Sequence, residues 1–352
     1  MSASTEFSLR LFKAASPANE NFVISPFSLA AALAIVHDGA KGETQAEITR
    51  LLGKTLSASE VSSIYSYLTA ALNEKNSAVI THVASRFFLD KFTTLKPAYH
   101  SHIEKTFNAG AENIDFRDSN ASAMIVNNFV HANTNGMISE ATQPWDFEGQ
   151  RSVLVNTVYF KGDWKNPFDK QDTRKGVFHG LAGDRNVMFM HESEMNARYS
   201  LTKALAVVSL SYKDPAYTMM ILMPFGDFGD WRDNLTASQL EGFRGKAGEI
   251  NLKLPKFNIE TKRELSEALE KCGVKTIFSC NADLSGISDR ALSVTRVTQT
   301  AVIEVAEWGT EAAAATSMWQ SDCSKPVRPA ITFNRPFHYA ILRDSQILFI
   351  GQ

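Results

Sequence analysis

The residues best suited to chemistry in this chain are its eight histidines and three cysteines. None of them stands in a catalytic motif, because the sequence has no GxSxG, GxGxxG, GxxxxGKS/T or HExxH pattern. The stretch HESEM, which begins at His191, lacks the second histidine of a zinc-protease helix. His100 and His102 lie two residues apart in a helix-like stretch, which turns them to different faces. The pattern therefore indicates ordinary surface histidines, no metal site and no enzyme.

The cysteines are Cys272, Cys280 and Cys323, an odd number without metal-like spacing, which argues against a disulfide scaffold. Cys272 and Cys280 flank and follow an apolar, helix-like stretch, so they are predicted to be buried free thiols. Cys323 differs from them because it lies in the polar stretch SDCSK at 321–325. No cofactor is predicted.

The segment before Cys323 has conflicting structural signals. AVIEVAE at 301–307 alternates like a half-buried strand. GTEAAAAT at 309–316 then combines a threonine, a glutamate and four alanines, which favours the first turn of a helix. A run of small residues with a helix signal thus lies between a strand pattern and a polar segment, and it needs a functional explanation.

Composition and charge exclude several classes of function. The chain is 44% hydrophobic and 21% charged with a net charge of −2, which is typical of a globular protein. It has no dense basic run, so nucleic acid is not expected as a partner. FVISPFSLAAALAIV at 22–36 is too short to cross a bilayer, so no membrane partner is expected. The first residues lack a secretory signal, so this numbering fits a cytoplasmic protein or a trimmed secreted one.

Helical patterns dominate the first part of the chain and strand patterns the rest. Helices are predicted at 7–15, at 28–40 with Ser28 as the cap, at 43–53 and at 121–136. Strands are predicted at 151–169, 204–212, 217–225 and 248–260, and the stretch 78–90 mixes strand-like and aromatic residues. A further helix is predicted at 263–273, and a hairpin with its turn at 343–345 closes the chain. With no linker or repeat, this distribution predicts an α+β fold in a single domain, 1–352.

Six stretches of the sequence resemble signatures of the serpin family. EVAEWGTEAAAAT at 304–316 is similar to the family's proximal hinge, the segment that leads into its reactive-centre loop. The other five lie in the family's order along the whole chain, at 22–48, 156–169, 254–260, 281–288 and 333–352. The resemblance implies a monomer with helices around three β-sheets, a large central sheet and an exposed reactive-centre loop at about 309–332.

The resemblance also implies a function, inhibition of a protease by a suicide-substrate mechanism. In serpins the protease cleaves the exposed loop, and the loop inserts into the central sheet as an extra strand before the acyl-enzyme can hydrolyse. The hinge residues implied here are Glu307, Gly309, Thr310, Glu311, Ala312, Ala313, Ala314, Ala315 and Thr316. By the two-residue period of a strand, 310, 312, 314 and 316 share one face, and none of these residues is bulky or charged. A non-inhibitory serpin that acts as a binding or chaperone protein is the alternative.

Two further clusters match the family residue by residue. Ser25, Ser28, Asn156 and Gln299 match the shutter, a hydrogen-bonded group beneath the central sheet. Gln299 departs from the histidine common in serpins, and its amide is expected to replace the histidine's hydrogen bonds without a titratable group. Trp164 and Lys256 match the breach, where insertion begins. Lys256 is expected to form a partly buried ion pair with Glu307, within about 6 Å.

Family spacing places the reactive bond between Cys323 and Ser324, with Asp322 as the alternative specificity residue. Cysteine at the cleavage position favours a serine protease of elastase or chymotrypsin type. Asp322 instead fits a caspase-like cysteine protease or a granzyme-like serine protease. Trp319 or Met318 would fit a chymotrypsin-like protease but would shorten the strand that can insert. Lys325 would fit a trypsin-like protease, but Pro326 follows it.

Overall fold

The computed structural model describes most of the chain with several short gaps and one longer gap. The described residues are 3–17, 19–53, 56–74, 76–134, 136–243, 245–307 and 328–352. Within them, the α-helices are α1 Ala3–Ala15, α2 Pro26–Gly39, α3 Gly42–Leu52, α4 Ala58–Asn73, α5 Pro97–Phe107, α6 Ser119–Asn133, α7 Phe228–Asn234, α8 Ala237–Gly242 and α9 Ser266–Lys271. Short 3₁₀ helices lie at Pro144–Phe147, Lys170–Asp172 and Thr276–Phe278. None of these helices is long and apolar enough to cross a membrane.

The strands form two hydrogen-bonded sheets in the described part of the chain. They are β1 Val23–Ile24, β2 Val79–Asp90, β3 Gly110–Ile114, β4 Ser152–Gly162, β5 Arg174–Gly180, β6 Gly183–Leu201, β7 Leu205–Ser211, β8 Tyr217–Pro224, β9 Lys246–Pro255, β10 Phe257–Glu264, β11 Arg296–Val305, β12 Ala330–Thr332, β13 His338–Arg343 and β14 Gln346–Gly351. One sheet has the order β1-β14-β13-β8-β7-β6-β9-β12, with β5 also paired to β6. The other has the order β10-β11-β4-β2-β3.

The α+β fold class is confirmed. The described strands form two hydrogen-bonded sheets where the resemblance implied three, and strand β6 is the reason. The first part of β6 pairs with β5, and its last residues pair with β7. A bulge between Glu192 and Met195 separates these two parts, while β9 pairs with both. Because a bulge bends a strand without ending it, β6 joins two of the three expected sheets into one continuous hydrogen-bonded path.

The five-stranded sheet has a parallel pair at its centre. β11 runs parallel to β4 from Arg296 opposite Val153 to Ile303 opposite Phe160. Their outer neighbours, β10 and β2, are antiparallel to them. We call the β11–β4 pair the seam. Parallel ladders are slightly less stable per residue than antiparallel ones, so the seam is the weaker join of these three.

Helix α2 lies beneath this sheet and packs against β2, β4 and β14. Its sequence is rich in alanine and leucine, and its helical residues are buried apart from Asp38 at intermediate exposure. The helix begins earlier than predicted, since Ser25 is the cap and its Oγ accepts a hydrogen bond from the Ser28 backbone N–H. Pro26 takes the first helical position, where the missing N–H of proline costs nothing. The prediction of Ser28 as the cap was therefore wrong.

Three other expectations need correction. The helix predicted at 121–136 is α6, which ends at Asn133, and the Gly136 N–H bonds the carbonyl of His131 beyond that end. The helix predicted at 263–273 is only α9, because residues 263 and 264 continue β10 opposite β11. The stretch 248–260, read as one strand, is two strands in different sheets, β9 and β10, separated at Lys256.

The thiols also differ from each other. Cys272 is buried as predicted, but Cys280 is exposed, so that prediction was wrong for Cys280. Cys280 follows the 3₁₀ helix at 276–278 in a turn, where its side chain is not covered by the core. The apolar residues near Cys280 in the sequence therefore do not cover its side chain. Cys323 lies outside the described residues.

Candidate functional site

The strand β11 leads directly into the segment that the sequence singled out. Its last residue is Val305, and the described chain continues to Glu307 before resuming at Arg328. The rest of the predicted hinge and the whole reactive bond lie outside the described residues, namely Gly309, Thr310, Glu311, Ala312, Ala313, Ala314, Ala315, Thr316, Asp322, Cys323 and Ser324. Their roles remain predictions. The site described here consists of the residues around the seam and around residues 306–307, which follow β11 and which we call its exit.

Glu307 is held at the exit of β11 by two side chains. Lys256 Nζ lies 2.8 Å from Glu307 Oε2, which is the ion pair expected from the sequence. Thr173 Oγ1 donates a hydrogen bond of 2.8 Å to Glu307 Oε1. The Glu307 side chain is only 5% exposed, whereas that of Lys256 is 45% exposed. The pair is thus asymmetric, with a buried carboxylate and an ammonium group partly in water.

The electrostatics of Glu307 follow from these contacts. Burial works to raise the pKa of the carboxyl group, because it disfavours the charged form. Hydrogen bonds from Lys256, from the backbone and from Thr173 favour the carboxylate, and together with the lysine charge they leave the pKa below its ordinary value. Glu307 is therefore a carboxylate at neutral pH, and Lys256 is one of the groups that lower its pKa.

Trp164 holds the residue just before Glu307. Its indole Nε1–H donates a hydrogen bond of 2.8 Å to the carbonyl of Ala306. The ring is buried, stacks on Tyr212 with 4.5 Å between ring centroids, and meets Phe168 edge to face. Because the ring is fixed by packing on both sides, its hydrogen bond sets the position of the β11 exit. The two residues predicted for the breach, Trp164 and Lys256, therefore both contact the chain at 306–307.

Beneath the seam, the four residues predicted for the shutter form one hydrogen-bonded network. Gln299 Nε2 donates to Asn156 Oδ1 at 2.7 Å and to the carbonyl of Ser25 at 2.9 Å. Gln299 Oε1 accepts from the Ser25 backbone N–H at 2.8 Å. Ser28 Oγ lies within hydrogen-bond distance of both Asn156 Oδ1 and Nδ2. The amide of Gln299 thus acts as donor and acceptor, as expected for a substitute for histidine.

The network has a fifth member that sequence reasoning missed. Asn156 Nδ2 donates to Ser85 Oγ at 3.0 Å. Asn156 lies directly opposite Ser85 in the β2–β4 pair and directly opposite Gln299 in the seam, so the network crosses three adjacent strands. A signal was present in the sequence, because Ser85 and Thr81 are polar residues on the buried face of β2, where Val79, Val83 and Phe87 are apolar.

This network is buried and uncharged. Its five side chains are all buried, and none carries an ionisable group. It joins β2, β4 and β11 to the N-terminus of α2 across the middle of the seam. Such a network tolerates burial because every amide finds a partner, and it gives the centre of the seam no means of responding to pH near neutrality.

Comparison with known proteins places this geometry in a family. The family model described as Serpin (serine protease inhibitor) matches residues 2–352. Iripin-2 of Ixodes ricinus is 34% identical, with 99% of this chain and 92% of that protein covered. Human leukocyte elastase inhibitor is 32% identical, with 100% and 98% covered. The crystal structure of Serpin48 from the insect Tenebrio molitor matches with a TM-score of 0.87 at 27% identity, covering 99% of this chain and 96% of that one. The chain with the seam, the Lys256–Glu307 pair and the uncharged network belongs to the serpin family, whose model is described as serine protease inhibitor.

Proposed function

We propose that this serpin inhibits a serine protease by inserting residues 310–322 into the seam after the protease has cleaved the bond between Cys323 and Ser324. The observation that supports this most directly is the parallel seam next to the hinge. A segment that leaves β11 and reverses direction runs antiparallel to β11, and therefore also to β4. It can pair with both strands once they separate, replacing one parallel ladder with two antiparallel ladders.

The length and composition of the segment support the same step. Residues 310–322, extended at about 3.3 Å each, span roughly 43 Å. That is longer than β4, whose 11 residues extend about 36 Å at the same rise. In its first half, at 310, 312, 314 and 316, one face of the segment carries only threonine and alanine side chains, which are small enough to enter between packed layers. Roughly a dozen new ladder hydrogen bonds at about 1 kcal/mol each would make the step effectively irreversible.

The covalent step follows from ordinary acyl transfer. The hydroxyl oxygen of the protease serine attacks the carbonyl carbon of Cys323, and the peptide bond to Ser324 breaks. The proton passes through the protease's general base to the new amino group of Ser324, and Cys323 remains joined to the protease as an ester. Insertion faster than hydrolysis of this ester traps the protease. With Asp322 as the specificity residue, the same step would occur one bond earlier.

Among target proteases, an elastase-like enzyme is our first choice. Cysteine is a modest apolar residue that suits a small or medium specificity pocket. The relative named leukocyte elastase inhibitor, 32% identical over the whole chain, supports the same class. Chymotrypsin-like enzymes come next, followed by caspase- or granzyme-like enzymes at Asp322.

The proposal is tested by incubating the protein with elastase-, chymotrypsin-, trypsin- and caspase-type proteases. An inhibitor gives an SDS-stable complex with at least one of them, and mass spectrometry of the released C-terminal peptide then identifies the cleaved bond. A peptide starting at Ser324 supports the first choice, and one starting at Cys323 supports cleavage after Asp322. Cleavage within the loop by every protease without a complex would refute inhibition and favour a binding or chaperone role.

Two neighbouring alanines provide a matched pair of variants for the insertion step. Ala314 lies on the face proposed to enter the sheet, and Ala313 lies on the other face. Ala314→Arg would bury a guanidinium without a partner, which costs several kcal/mol. We expect Ala314→Arg to turn the inhibitor into a substrate, with at least tenfold less complex, while Ala313→Arg retains most complex formation. Equal complex yields from the two variants would contradict insertion in this register.

A further inference from the structure

A cavity of 520 Å³ lies between the β5–β6 hairpin and the start of β10. Phe228 lines it, and four further aromatic rings form one wall, those of Phe178, Phe257, Phe337 and Tyr339. The rings pack against one another, with 6.0 Å between the centroids of Phe257 and Phe337 and 5.4 Å between those of Phe257 and Tyr339. Cavities of 300–1,000 Å³ lined by aromatic side chains are typical of small-molecule sites.

The charged side chains that line this cavity in the described part of the chain are those of Glu20, Arg185 and Lys256. Glu20 is paired with Arg263 at 2.6 Å, and Lys256 is paired with Glu307. Arg185 lines the cavity too, with its guanidinium carbon 5.2 Å from the centre of the Phe178 ring. It has no ion pair with any part of the chain that the structure describes. An aromatic wall beside an uncompensated guanidinium fits a flat apolar molecule that bears one negative charge.

A neighbouring cavity lies between this one and the end of β11. A second cavity, of 350 Å³, shares Lys256 and Phe257 with the first, and it extends to the end of β11 at 304–306. Lys256 therefore lines both cavities while its ammonium group holds Glu307. An anion bound near Lys256 would compete with the Glu307 carboxylate for the same donor.

We propose that the cavity is a binding site for a small amphipathic anion, with its flat apolar part on the aromatic wall and its acidic group on Arg185 and Lys256. This site is separate from the reactive bond and does not depend on whether the protein inhibits a protease. Its position makes the Lys256–Glu307 pair weaker when the anion is bound. The site thereby links a small ligand to the exit of β11.

The test uses 8-anilinonaphthalene-1-sulfonate, a fluorescent aromatic anion, titrated against the full chain. We expect saturable binding at one site with a Kd at least tenfold weaker in Arg185→Gln. Arg151→Gln is the matched control, because Arg151 is an exposed arginine beside a different cavity, of 660 Å³. It should leave the Kd unchanged. Equal affinity in the wild type and Arg185→Gln, or loss of binding in Arg151→Gln, would overturn the proposal.

Two further measurements separate charge from hydrophobicity and test the link to the hinge. The uncharged probe N-phenyl-1-naphthylamine should bind at least tenfold more weakly than the sulfonate, and equal binding would show that the anionic group is irrelevant. Glu307→Gln frees Lys256 and should tighten sulfonate binding several-fold, whereas Lys256→Met should weaken it. If neither variant changes the Kd, Lys256 does not contact the anion and the link to the hinge is wrong.

Discussion

His338, the first residue of β13, gives this fold a stability that falls in mild acid. Its imidazole is 2% exposed and lies parallel to the rings of Phe228 and Trp231, with centroids 4.2 Å and 5.3 Å away. Neither ring nitrogen has a hydrogen bond of good geometry in the described residues. Burial, followed by the nearby charge of Arg232, lowers the pKa of His338 from 6.5 to about 3. The backbone of Phe228 and the carboxylate of Asp233 oppose this shift but do not cancel it.

The sign and size of the effect follow from linkage. Between pH 6.5 and 3 the unfolded chain binds a proton at His338 that the folded chain does not, so stability decreases as the pH falls through this window. At pH 5.5 the loss is about 1.4 kcal/mol relative to pH 7.5, and it depends only on the unfolded pKa while the folded pKa stays below about 4.5. For a chain of 352 residues this corresponds to about 2 °C in the unfolding midpoint.

The measurement compares His338→Phe with the wild type at both pH values, by thermal unfolding followed with circular dichroism. The phenylalanine ring keeps the stack but cannot bind a proton, so the variant should lose about 2 °C less than the wild type on going from pH 7.5 to 5.5. Phe349→Leu, a change in the buried core without a titratable group, should lower the midpoint equally at both pH values. If His338→Phe keeps the full pH dependence of the wild type, the reasoning about the buried neutral imidazole is refuted.

Three shorter predictions concern the seam, its exit and the thiols. Lys256→Met should lower the free energy of unfolding by about 1–2 kcal/mol, because it leaves the buried carboxylate of Glu307 without its counter-ion. In urea unfolding, a double-mutant cycle with Glu307→Gln should show that the two changes are coupled and not additive. Gln299→Leu removes a donor and an acceptor from the buried network and should cost about 2 kcal/mol or more in the same assay; a cost below about 0.5 kcal/mol would contradict the network's role. Iodoacetamide should label the exposed Cys280 at least tenfold faster than Cys272, whose pKa burial raises, as read by peptide mass spectrometry; equal rates in the folded protein would contradict the assigned burial.

Sequence patterns predicted well those features that depend on local interactions. Alternation identified the strand β11, strand-like and aromatic residues indicated β2, and helical spacing identified α1 and α3. The closing hairpin was also predicted, and its turn residue Asp344 has a φ of 55°, as a tight turn requires. Each of these signals lies within a few residues of the element that it predicts.

The errors arose where distant contacts override local preference. Arginine and glutamate at 263–264 are good helix formers, yet they extend β10 because β11 offers ladder partners at 298–299. Ser85 was missed since its importance depends on lying opposite Asn156, which is a matter of strand register. The ion pair of Lys256 and Glu307 was predicted only through the family resemblance, because the two residues are far apart in sequence and meet at a junction between sheets.

The seam is held by different physical means at its centre and at its exit, and the difference fits the proposed mechanism. At the centre, the network around Asn156 is buried and uncharged, so neither salt nor pH near neutrality weakens it. At the exit, Glu307 depends on a half-exposed lysine and on Thr173, contacts that water and ions can reach. An inserting segment that begins next to Glu307 would meet the exit contacts first. Opening would therefore start at the end that solvent can influence, while the network keeps the rest of the seam closed until insertion reaches it.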